Sequence, residues 1–154
     1  MFYRCYNLET LPTVTNNGTT STITLVNNNA SYMFTSCHKL GYNDIELVLN
    51  NNLVNRYFNS TTKKYQNDSI DGVSPIESCK ITNYNYFLYS KTYSSDSSID
   101  LSKYAFAETM DYCFCTRNWG GEEKTNRNSS NNVILTYSGK LSKSITSARS
   151  IFAS

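Results

Sequence analysis

The sequence predicts an all-β chain, an antiparallel sandwich or jelly-roll-like meander closed by a short C-terminal helix. Three observations carry that reading. Short β-branched and aromatic runs recur, Asn clusters punctuate them, and one 3–4-spaced apolar stripe stands at the end. Asn and Gly tolerate positive φ and so turn a chain back between strands. The 154 residues fit a single domain, 1–154, with 140–154 as a possible docking tail.

The first strand signal is Thr22–Val26, with Ile23 and Leu25 on one face, preceded by the hairpin-turn triplet Asn16-Asn17-Gly18. Asn27-Asn28-Asn29 then leads to Ser31–Thr35, where Tyr32 and Phe34 share a face in an extended chain. Ile45, Leu47 and Leu49 alternate next, before Asn50-Asn51-Asn52 and a run from Leu53 to Phe58. Residues 59–75 form a polar loop with an Asp71-Gly72 turn. Ile81–Ser90 is a Tyr-dense strand, and strands are expected at Lys103–Ala107, Met110–Thr116 and Asn132–Ser138. In the tail, Leu141, Ile145, Ala148 and Phe152 make the stripe of an amphipathic helix that caps the sheet or docks on a neighbour. The Asn clusters lie at unequal distances, so no internal repeat is expected.

Composition bears on function. Asn, Ser, Thr and Tyr number 20, 21, 17 and 13, together 71 of 154 residues, while only 17% are charged. A neutral surface of amides, hydroxyls and phenols packs against another protein without stripping ions of water. Net charge is +2, too weak to point to nucleic acid or an anionic membrane. No apolar run approaches the ~20 residues of a membrane span. The start, Met1-Phe2-Tyr3-Arg4-Cys5, lacks the apolar core of a signal peptide, and the expected place is the cytoplasm or a virion.

Candidate chemistry is sparse. Five cysteines (5, 37, 79, 113, 115) are an odd number at irregular spacing, which predicts buried free thiols rather than a disulfide framework. Cys113-X-Cys115 has no second ligand pair to complete a zinc site. Cys37-His38 would point to opposite faces of a strand and cannot act as nucleophile and base. Asp68, Asp71, Asp96 and Asp100 match no calcium loop, and the six glycines form no phosphate loop. The expectation is a protein that is not an enzyme and has no cofactor or metal.

The binding candidates are aromatic. Tyr84, Tyr86 and Tyr89 crowd one strand, and Arg117 and Trp119 stand beside Gly120-Gly121 in what reads as a loop. The expected function is a structural assembly subunit, such as a minor capsid, cement or tail protein of a virion or phage. Its partners would be copies of itself or other structural proteins. The alternative is a lectin-like or adhesin module in which Trp119, Tyr84 and Tyr86 hold a glycan.

Overall fold

The computed structural model describes residues 1–90, 98–115, 136–142 and 144–152. Its regular elements are mostly short strands. Strand β1 (Val14–Asn16) and β2 (Thr19–Ser21) form a hairpin about Asn17 and Gly18, both at positive φ, as the Asn-Gly signal predicts. Helix α1 (Tyr42–Asn50) precedes β3 (Leu53–Asn59), which lies between β4 (Lys64–Gln66) and β5 (Ile76–Cys79) in an antiparallel sheet. Strand β6 (Ser98–Asp100), followed by a 3-10 turn at Leu101–Tyr104, pairs in parallel with β7 (Thr136–Ser138). These sheets have two or three strands each, and the expected sandwich or jelly roll is not seen in them.

Several sequence expectations need correction. The strand expected at Lys103–Ala107 is replaced by the 3-10 turn, the loop expected at 59–75 contains β4, and of the strand expected at Asn132–Ser138 only β7 falls among the described residues. Residues 45–49 are helical: Ile45, Val48 and Leu49 are the buried set, the i, i+3, i+4 spacing of a helix face. The alternation of Ile45, Leu47 and Leu49 coincided with it over too short a window to separate the two periods. Thr22–Val26 keeps its alternation, with Ile23 and Leu25 packed on the core, yet joins no ladder. The C-terminal helix is absent from residues 144–152, which run through turns and a bridge. The last correction is the largest.

Segments starting at Asn29, Asn83, Thr109 and Ser147 stack in parallel, joined by bridges at those positions. Each is a chain of tight turns rather than a strand. Amides of one segment donate to carbonyls of the next: Ala30 to Asn83, Tyr84 to Thr109, and Met110 to Ser147, at 2.9, 2.8 and 2.9 Å. Two residues on, Tyr32 donates to Asn85, Tyr86 to Asp111 and Tyr112 to Arg149, at 3.0, 2.8 and 2.8 Å. Then Phe34 donates to Phe87, Leu88 to Cys113 and Phe114 to Ile151, at 3.0, 3.0 and 2.9 Å. Residues 1–6 extend the stack at one end, with the Phe2 amide on the Met33 carbonyl at 3.1 Å and Arg4 on Thr35 at 2.9 Å.

The turn geometry decides which side chains face inward. Met33, Phe87 and Cys113 each donate back three residues to close a turn, at 3.0–3.1 Å. The third residue of each turn, Tyr32, Tyr86 or Tyr112, has φ of 57, 57 or 56°. Residues on either side of the turn point in, so Ala30, Met33 and Phe34 are buried, as are Tyr84, Phe87 and Leu88, and Met110, Cys113 and Phe114. They form one cluster with Ile45, Val48 and Leu49 of α1. Burying an aliphatic or aromatic side chain of this size contributes about 1.5–3 kcal/mol. The sheets and α1 are insertions between segments of this stack.

Candidate contact surface

The stack builds a column of tyrosines on its flank. Tyr32 and Tyr86 are stacked with centroids 4.7 Å apart and planes 6° apart; Tyr86 and Tyr112 follow at 4.9 Å and 19°. That spacing is the separation of hydrogen-bonded neighbours in a sheet, so the amide ladder sets the ring distance. Tyr3 meets the Tyr32 ring edge-on at 6.1 Å, and Tyr89 meets Tyr86 at 5.4 Å. Tyr3 and Tyr32 are exposed, and Tyr86, Tyr89 and Tyr112 half-buried.

A non-glycine residue in the left-handed region costs roughly 1–2 kcal/mol. A stacked aromatic pair contributes about 0.5–1.5 kcal/mol beyond its buried area. Tyr86 stacks on both sides, and those two contacts are of the size needed to offset its backbone strain. Burial first, and then the neighbouring Tyr32 and Tyr112, push its phenol above the ordinary value.

Beside the tyrosines runs a polar column. The Asn29 and Asn83 side chains accept from the amides of Ser31 and Asn85, at 2.9 and 3.1 Å, and so close the corner locally. Asn85 Oδ1 accepts the Asp111 amide at 2.8 Å, and Asp111 Oδ1 accepts the Arg149 amide at 2.7 Å and the Ser147 hydroxyl at 2.6 Å. These bonds, the Ser147 hydroxyl foremost, hold the Asp111 carboxyl below the usual range. Its ion pair with Arg149, 3.7 Å long and with the Arg side chain 79% exposed, adds little.

The interior holds a second aromatic set. Tyr84 packs edge-on against Tyr104 at 4.7 Å, and Tyr104 shares a hydroxyl contact with Tyr42 at 3.2 Å. The Tyr84 hydroxyl has no well-formed hydrogen bond; the Cys79 thiol lies beside it. Burial pushes the phenols of Tyr42, Tyr84 and Tyr104 upward, and likewise the Cys79 and Cys113 thiols. Such thiols are poor nucleophiles at neutral pH. All five cysteines are free and four are buried. Among the described residues, no three His, Cys, Asp or Glu side chains gather as metal ligands.

The sequence candidates divide accordingly. Tyr86 and Tyr89 belong to the flank, whereas Tyr84 is fully buried and faces no solvent. Arg117 and Trp119 lie outside the described residues. Leu141 and Phe152 are exposed, Ala148 is exposed, and Ile145 is half-buried against the core, so the four share no helical face. Tyr3, Tyr32, Tyr112 and Asp111 were not singled out by sequence. Their signal is a short recurrence: Tyr32-Met33-Phe34, Tyr86-Phe87-Leu88 and Tyr112-Cys113-Phe114, echoed by Ser150-Ile151-Phe152.

No family model matches this chain. Comparison with curated proteins and with solved structures likewise returns no match. Among the described residues, no helix is long and apolar enough to cross a membrane.

Proposed function

We propose that the chain is a non-enzymatic structural subunit that works through protein–protein contact, as a minor capsid, cement or tail component of a virion or phage would. The observation that supports this most is the tyrosine flank: Tyr3, Tyr32, Tyr86, Tyr89 and Tyr112 form one aromatic tract. Tyrosine combines a large apolar face with a hydroxyl and little side-chain entropy, which suits an interface core. The adjoining charges, Asp111 and Arg149, offset each other. An ordered hydrogen-bonded stack holds the tract rigid, so little ordering cost falls on association.

Glycan binding is less well supported. A sugar ring stacks on an open aromatic face, but both faces of Tyr86 are covered by Tyr32 and Tyr112. Tyr84 is interior.

The test is the mass of the purified chain by light scattering over a concentration series, beside the double variant Tyr32→Ser, Tyr112→Ser. The reading expects wild-type association, or capture of a structural partner, that the variant loses while staying folded. A well-folded wild-type monomer with glycan affinity and no protein partner would overturn it.

A further inference from the structure

A second exposed face lies on the three-stranded sheet, built from residues other than those of the tyrosine flank. Side chains alternate between faces along β3, so Val54, Arg56 and Phe58 share one of them. The register adds Ser78 and Ile76 of β5, opposite Val54 and Arg56, and Tyr65 of β4, opposite Phe58. One end of this face is closed by the 3-10 turn, where the Ser78 hydroxyl donates to the Ser102 carbonyl at 2.9 Å. The other end is open: Phe58, Tyr65 and Ile76 are 40, 37 and 41% exposed. Phe106 backs the open end, meeting the Tyr65 ring edge-on at 5.5 Å, and Phe58 tilts against Tyr65 at 5.3 Å. Arg56 is the only charged side chain that the three strands place here; Lys64 and Glu77 are on the opposite face. Its guanidinium lies over the Phe106 ring, 4.6 Å from the centroid. Arg56 makes no ion pair among the described residues, and its Nε, shut off from solvent, has no hydrogen-bond partner among them.

We propose that this face binds an extended acidic segment of a partner protein, with one carboxylate on Arg56 and apolar side chains beside it on Phe58, Tyr65 and Ile76. Charge complementarity selects the occupant. A guanidinium held on an aromatic face keeps in-plane N–H groups that fork a carboxylate. Arg56 is already partly removed from water and carries an unmet donor, so an arriving anion gains a charge-assisted bond at reduced desolvation cost. The apolar rim gives nothing to a free inorganic anion, whereas it packs against the neighbours of an acidic residue in a peptide. In an extended segment the side chains two apart share a face at about 7 Å, the same spacing that separates Arg56 from Phe58 along β3. An apolar–acidic–apolar pattern at alternate positions therefore fits. A nucleic acid calls for several cations along its backbone, and this face holds one. The face is separate from the tyrosine flank, and its occupant does not depend on what that flank joins.

Fluorescence anisotropy with the full chain tests it. The probe is a labelled, end-blocked Leu-Ser-Glu-Ser-Leu peptide, used beside its Gln counterpart and a labelled oligothymidine of about ten nucleotides. Wild type should bind the Glu peptide about ten-fold or more tightly than the Gln peptide. Arg56→Met, which keeps an apolar stem on Phe106, should lose that difference and bind both peptides alike. Phe58→Ser, at an exposed position, should weaken both peptides several-fold yet keep the preference for Glu, so the ionic and apolar parts are read separately. If Arg56→Met does not fold, the Glu-against-Gln comparison on wild type and on Phe58→Ser still decides. No binding of the Glu peptide by wild type overturns the proposal, as does equal binding of the two peptides. A preference for Glu that survives in Arg56→Met overturns it too. Oligothymidine bound more tightly than the Glu peptide, and lost in Arg56→Met, overturns it in favour of single-stranded nucleic acid. None of these outcomes touches self-association through the tyrosine flank, which light scattering reads independently.

Discussion

Replacing Asn52 with Ala should destabilise the fold more than any other single polar truncation in the described core. Asn52 is 2% exposed, in the turn between α1 and β3. Its Nδ2 donates to the Val48 carbonyl at 2.7 Å and the Ile23 carbonyl at 2.9 Å, while its Oδ1 accepts the Leu25 amide at 2.7 Å. The side chain thus satisfies one of the helix's terminal carbonyls and ties the unladdered 22–26 stretch to the core. Its own backbone bonds, to Leu49 and from Lys80, survive the substitution. Three side-chain bonds at about 1 kcal/mol each give a loss of about 3 kcal/mol. With a urea m-value near 2 kcal/mol/M, the unfolding midpoint should fall by about 1.5 M at unchanged m. Hydrogen exchange at the Leu25 amide should accelerate beyond the global change. Asn52→Asp should do no better than Ala, since it keeps the acceptor but sets a charge against two carbonyls. A midpoint shift below roughly 0.3 M would refute the reasoning, because it would mean water or rearrangement replaces all three partners at no cost.

Two glycines at positive φ should respond differently to Ala. Gly72 (φ +71) has open space around it and should lose about 1 kcal/mol from backbone strain alone. At Gly139 (φ +77) a Cβ would meet the Ser102 amide nitrogen at 2.9 Å and Asp100 Oδ1 at 3.0 Å, so urea unfolding should show about 2–3 kcal/mol. Burial raises the phenols of Tyr42, Tyr84 and Tyr104, so the folded state favours their neutral forms. Their contribution is whole below the unfolded value near pH 10 and is lost as pH rises toward the folded values. A cooperative alkaline unfolding above about pH 10, with tyrosinate absorbance appearing in the same step, is the expected result. Gradual ionisation without unfolding would contradict it. Asp111 behaves oppositely: its depressed folded value means stability present above about pH 4 and lost as pH falls below it. Denaturation of Asp111→Ala between pH 6 and 2 should show a shallower acid slope than wild type.

The local turns were legible because they depend on neighbours in sequence. Asn17-Gly18 specifies its hairpin through two residues that accept positive φ, and Leu53–Asn59 pairs as its composition predicts. The stack was not legible, for two physical reasons. Its inward residues fall at unequal steps around tight turns, so neither the two-residue period of a strand nor the 3.6 of a helix describes them. Its repeats are also separated by insertions of different length, one containing α1 and a three-stranded sheet. Positive φ at Tyr32, Tyr86 and Tyr112, shared by Ser36, Ser90 and Ser150 in the same stack, runs against intrinsic preference and is held by the hydrogen bonds to the neighbouring segment, with ring stacking adding to it at the tyrosines. No single-segment reading could find a conformation that is favourable only in company.

That dependence links the unusual composition to the proposed role. Stacked turns at sheet spacing bring each outward side chain within about 5 Å of its equivalent in the next segment. Like charges repeated along such a column would repel at every step. Neutral hydrogen-bonding side chains do not, and amides relay from one segment to the next, as Asn85 does to Asp111 and Asp111 to Arg149. Aromatic rings gain from the same repetition. A chain built this way accumulates Asn, Ser, Thr and Tyr on its flank for structural reasons and arrives with a nearly neutral, hydrogen-bonded surface. On the proposed reading, a partner lying against that surface would meet few charges, and two of those, Asp111 and Arg149, are already paired with each other. On the proposed reading, the features that hold the stack together are also those that would suit it to be joined.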